Sequence, residues 1–120
     1  MKYMLLIHHM DDTQIPEAQR VQLLSESVQL CHDLYANGQY LDAAPLHPST
    51  ETIQVTVRDG KRLVTDGPFA ETREQIGGFF MVEANSMEEA VEIAGRIPGA
   101  TIGTVEVRPV REVEGLPVKN

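Results

Sequence analysis

A single cysteine, Cys31, leaves this chain of 120 residues without an intrachain disulfide, which fits a reducing compartment. Basic residues are scarce: ten Lys and Arg against eighteen Asp and Glu give a formal charge of -8. A field of that sign repels phosphate backbones and anionic headgroups. The lysines and arginines also form no cluster larger than the pair Lys61–Arg62, so neither nucleic acid nor a membrane is expected as a partner. Long hydrophobic runs are missing too. The longest near the start, "YMLLI", is too short for a signal peptide or a membrane span, and a cytoplasmic location is expected. The sequence has no glycine-rich phosphate loop, nucleophile elbow or CxxC pair, which removes several common enzyme classes. It also lacks internal repeats and low-complexity segments.

What is present suffices for one compact domain. An apolar share of 42% supplies a single core, assigned to residues 1–110, with 111–120 as a polar C-terminal tail. "KYMLLIHH" is apolar at consecutive positions, as in a central strand covered on both faces. Across residues 16–37, Val21, Leu24, Val28, Cys31 and Tyr35 recur at steps of three and four, which predicts a helix with that stripe turned inward. Asn37 and Gly38 give it a left-handed stop. "YLDAAPLHPS" reads as a short strand broken by prolines, and "TIQVTVRDGKRLVT" as a hairpin turning at Asp59 and Gly60. "GFFMVEA" is a further strand. "NSMEEAVEIAGRIPG" is a second helix, with a capping-box pair at Ser86 and Glu89 and an apolar face of Met87, Ala90, Val91, Ala94 and Ile97. "TIGTVEVRPV" closes the core as a strand.

This order is the split βαβ, ferredoxin-like pattern, an α+β fold with both helices on one face of an antiparallel sheet. The first strand and "GFFMVEA" are apolar on both parities, so the other face needs a cover. A homodimer packed sheet against sheet is expected.

The last strand locates candidate chemistry. Val105 and Val107 share one parity, and Thr104, Glu106 and Arg108 the other, so Glu106 and Arg108 point to the open side. Upstream, "TDGPFAETREQIGGFF" fixes a stiff turn after Asp66, because Pro68 locks its own φ and restricts the residue before it. If "AETREQ" makes a helical turn, Glu71 and Glu74 share a side. Carboxylates would then rim the open face. The same spacing also fits a solvated acidic connection whose pairs are worth little. Phe69 is expected to plug the core. His8 and His9, as successive strand residues, point to opposite faces, so no metal site is expected. His32 belongs on the solvated side of its helix. His47, beside Pro48, could act as a base if it reaches the cavity. Cys31 reads as an inert buried thiol.

The segments "MKYMLLI", "PLHPS", "VRDGKRLVTDGPFAETREQIGGFFMVEA", "EEAVEIAGRIPGA" and "GTVEVRPV" resemble those of the YCII-related proteins, DGPF-domain branch. The resemblance implies a ferredoxin-like fold dimerising as an α+β barrel. It also implies a site beside the sheet at the matching positions Asp66, Glu71, Glu74, Glu106 and Arg108. It supplies no substrate, and related folds host several chemistries. DGPF-type proteins often accompany extracytoplasmic-function sigma factors. In shorter YCII members a histidine and aspartate pair has been suggested, with the histidine in the first helix; the matching position here is Ser27.

Two functions follow as expectations. One is a small enzyme without an organic cofactor, acting by acid-base chemistry on a small polar or anionic metabolite. There Arg108 holds an oxygen, Glu74 or Asp66 shuttles a proton, His47 or His8 assists, and Glu71 and Glu106 bind ligand. The other is a non-catalytic small-ligand-binding or regulatory module using the same groups.

Overall fold

The computed structural model describes residues 1–10, 14–69 and 74–118. Six strands and two helices follow in the order β1 (Lys2–His9), α1 (Glu17–Ala36), β2 (Tyr40–Pro45), β3 (Ile53–Arg58), β4 (Lys61–Asp66), β5 (Gln75–Glu83), α2 (Met87–Arg96) and β6 (Gly103–Pro109). Strands β2, β5, β1 and β6 lie side by side in that order, each neighbouring pair antiparallel. This is the expected ferredoxin-like sheet. Strands β3 and β4 form a separate two-stranded ribbon inserted between β2 and β5.

Alternation along the strands decides the two faces. Tyr3 and Leu5 of β1, with Phe80 and Val82 of β5, are buried against Leu30 and Leu34 of α1 and Ala90 and Ile93 of α2. Both helices therefore cover one face. The opposite parity, with Met4 facing Met81 and Leu6 facing Phe79 across the β1–β5 pair, is only half-buried.

Local signals account for the boundaries. Gly38 has φ 72. Its amide donates to the Tyr35 carbonyl and that of Gln39 to the Leu34 carbonyl, the paired bonds that close a helix through a left-handed residue. Asp59 and Gly60 both have positive φ, as a two-residue hairpin turn demands. At the start of α2, Ser86 accepts from the Glu89 amide at 3.1 Å. The Glu89 carboxylate does not reach back. It accepts instead from Gln39 at 2.9 Å and Asn85 at 3.2 Å. Ser86→Ala is expected to cost about 1 kcal/mol in urea-induced unfolding.

Three expectations are corrected. In α1 the stripe of Val21, Leu24, Val28 and Tyr35 is exposed, at 50 to 74%, and only Cys31 is half-buried. The helix carries a second apolar stripe through Leu23, Leu30 and Leu34, and the leucines at that spacing meet the sheet. In α2, Met87 and Val91 are exposed, while Ile93 turns inward beside Ala90, Ala94 and Ile97. Phe69 is 92% exposed and plugs nothing. Among the described residues, no helix is long and apolar enough to cross a membrane.

Candidate functional site

Two recesses flank the sheet, one on each face. The first opens between α1 and the sheet because the helix is anchored only toward its C-terminal end. Leu30 and Leu34 are buried, whereas Leu23, two turns earlier on the same stripe, is only half-buried, so the N-terminal half stands off. The resulting cleft has a volume of about 520 Å³. Leu23 and Val28 of the helix and Ile7 and Phe80 of the sheet give it apolar walls, and His9, Arg20, Ser27, Cys31 and Tyr40 reach the same cavity.

The polar groups there have defined states. His9 Nδ1 lies 2.6 Å from the Met10 carbonyl oxygen. A carbonyl only accepts, so Nδ1 donates, and in the neutral ring Nε2 is the basic nitrogen. The imidazole lies directly over Gly77, where an added Cβ would collide with it. Gly78 is equally constrained on its other side, because a Cβ would come within 2.8 Å of the Ala44 carbonyl oxygen. The glycine pair thus lets β5 run under a ring and against β2. Arg20 is exposed and sits at the rim. Ser27 donates to the Leu23 carbonyl at 2.8 Å. Burial pushes the Cys31 thiol up, and burial followed by the Cys31 and Asp42 charges pushes the Tyr40 phenol up. Both are neutral at pH 7, and a protonated thiol is a poor nucleophile.

The second recess, about 700 Å³, lies on the open face. It gathers three of the residues singled out by sequence: His8, Glu74 and Glu106, with Thr104, Ile76 and Phe69 around them. His8 Nε2 is 2.5 Å from Glu106 Oε1, a diagonal pairing across β1 and β6. The nitrogen is shut off from solvent and the contact lacks hydrogen-bond geometry. The preceding turn is held rigidly. Gly67, at φ 96, donates to the Thr52 carbonyl at 2.9 Å, and Gln54 Nε2 donates to the Gly67 and Pro68 carbonyls at 2.8 and 2.9 Å.

The remaining positions stand elsewhere in the protomer. Arg108 is exposed opposite Met4, two residues along β6 from Glu106 and on the same parity, about 7 Å at strand rise. Asp66 is exposed at the end of β4 opposite Ile53. His47 is 88% exposed and lies 3.5 Å from Glu51. Glu71 lies outside the described residues. His8 and His9 do face opposite sides, and His32 is exposed. Sequence reasoning passed over His9 and Arg20. The usable signals were the parity of His9, opposite to His8, and a serine at position 27 between apolar helix positions.

A family model described as the YCII-related domain matches residues 1–114. An uncharacterised protein of Rhizobium meliloti (strain 1021) is 34% identical over 94 residues, covering 71% of this chain and 76% of that protein. Among solved structures, the 5-chloro-2-hydroxyhydroquinone dehydrochlorinase of Burkholderia phenoliruptrix AC1100, in complex with 2,5-dihydroxybenzoquinone, aligns with a TM-score of 0.53. The alignment covers 95% of this chain and 97% of that one at 14% identity, a likeness of fold alone.

Proposed function

The chain belongs to the YCII-related family, and from that premise we propose a small-molecule enzyme that works by acid-base chemistry, without an organic cofactor, in the cleft under α1. Its substrate is a small molecule with a planar apolar body and an acidic hydroxyl, which becomes an anion as it reacts. The observation that carries this reading is the cleft's composition: apolar walls around about 520 Å³, with one imidazole and one guanidinium among the groups that reach it. Such a site desolvates a ligand while keeping a base and an anion holder at hand.

His9 Nε2 takes a proton from a hydroxyl or an acidic carbon of the ligand. The released electron pair moves into the planar body, and Arg20 holds the oxygen on which negative charge collects. A leaving group on the ring then departs as an anion. Ser27 stands where shorter members carry a helix histidine, so the imidazole comes from the opposite wall. The dehydrochlorinase of this fold is named for elimination from a chlorinated hydroxyhydroquinone. Hydroxylated and halogenated hydroquinones are therefore the first substrates to test, followed by ultraviolet absorbance and thermal shift. Turnover or stabilisation by at least one is expected. If no compound is converted and none raises Tm, the reading fails. With the best substrate, Arg20→Met is expected to lower kcat by about 100-fold with a smaller change in KM, the pattern of a lost contact to an oxygen that gains charge as the reaction proceeds.

The open-face recess supports a second reading, non-catalytic binding of a polar or cationic ligand by Glu74 and Glu106. The His8–Glu106 contact favours it, since a carboxylate already engaged by an imidazole suits recognition. Recovery of an unchanged ligand, checked by mass spectrometry, separates it from the first. In either case we infer a homodimer whose open faces meet, a reading supported by the apolar parity of Met4, Leu6, Phe79 and Met81.

A further inference from the structure

The β3–β4 ribbon is the part of the molecule that the fold leaves unsupported. No residue of either strand is buried, although an isolated two-stranded ribbon is at best marginally stable in water. Its two faces differ. Ile53, Val55 and Val57 of β3 and Val64, which pairs with Val55, share one face, and each is 56 to 63% exposed. The other face carries Gln54 and Thr56, with Leu63 as its lone large apolar residue.

Size points the same way. The radius of gyration is 16.2 Å, against about 14 Å for a compact chain of this length. The accessible surface is 8907 Å², roughly 2,400 Å² above that of a typical folded monomer of this mass. A standard interface takes about 800 Å² from each partner. The ribbon gathers four exposed aliphatic side chains on one face, surface of the same kind as the exposed stripe of α1.

We propose that the β3–β4 ribbon is an arm that docks across the two-fold axis onto the second copy of this chain, with Ile53, Val55, Val57 and Val64 as the contact face. The base of the arm is stiff, because Gln54 and the Thr52 carbonyl clamp the Gly67–Pro68 turn, so it projects in a fixed direction. Asp66, opposite Ile53, and Arg62, opposite Val57, share the contact face. Docking therefore carries Asp66 onto the partner copy, away from the recess of its own protomer. The inference rests on the homodimer reading and adds the element that holds the dimer together.

Sedimentation equilibrium of the full-length chain tests it, with circular dichroism to confirm folding. The wild type is expected to be a dimer at micromolar concentration. Val55→Glu combined with Val57→Glu is expected to raise the dimer Kd at least about 100-fold, since two aliphatic contacts are replaced by charges. Leu63→Glu, the same kind of change on the opposite face, is expected to leave it within about threefold. An unchanged Kd in the double variant overturns the arm while leaving the sheet-to-sheet dimer standing. Equal loss in Leu63→Glu also overturns it. A monomeric wild type removes both readings.

Discussion

Replacing His9 by glutamine is expected to lower kcat/KM by about 100- to 10,000-fold, the span of a lost general acid or base, with the folded structure intact. Glutamine can still donate to the Met10 carbonyl, 2.6 Å from Nδ1 in the native chain, but it has no basic nitrogen at neutral pH. Gly77→Ala reaches the same group from below. Its methyl would collide with the imidazole, and the ring rather than the backbone would have to give. Activity should therefore fall without loss of secondary structure. His8→Gln is the discriminating control, because His8 lies on the other face beside Glu106. Steady-state kinetics with circular dichroism on the three variants reads all of this. If His8→Gln is the damaging change and His9→Gln is silent, the chemistry belongs to the open-face recess.

Much of the fold was legible because its signals are local. Asp59–Gly60 and Asn37–Gly38 act within a few residues and do in the structure what their chemistry demands, while of the Ser86–Glu89 pair only the serine half of the cap forms. Strand parity was legible for the same reason, and it separated Val105 and Val107 from Glu106 and Arg108. Helix α1 was not, because two stripes of comparable apolar content run along it and spacing cannot rank them. The leucine stripe is chosen by a tertiary match to Tyr3, Leu5 and Phe80. The cleft was illegible on the same ground: it exists because one end of α1 is held and the other is not. The convergence of Glu74, Glu106 and His8 could be anticipated from parity and loop stiffness. The separate positions of Arg108 and Asp66 depend on distance along an edge strand and on the direction of the arm, which no short pattern encodes.

Truncating Leu34 to alanine is expected to cost about 2 to 5 kcal/mol of folding stability, as for a large side chain removed from a closed core. Leu34 is fully buried, and its carbonyl accepts from Gln39 at 2.9 Å where the chain turns into β2. It therefore secures the helix to the sheet by side chain and backbone together. Leu24, three turns earlier on the same helix, is 52% exposed and lines the cleft. Leu24→Ala should cost less than about 1 kcal/mol and act on ligand binding instead. Urea titrations of the two variants, with thermal shifts by the best ligand, measure both halves of the contrast. Equal destabilisation would mean that α1 packs along its whole length in solution, closing the cavity on which the enzymatic reading stands. Loss of stability at Leu34 and loss of ligand response at Leu24 would show one helix divided into an anchor and a wall.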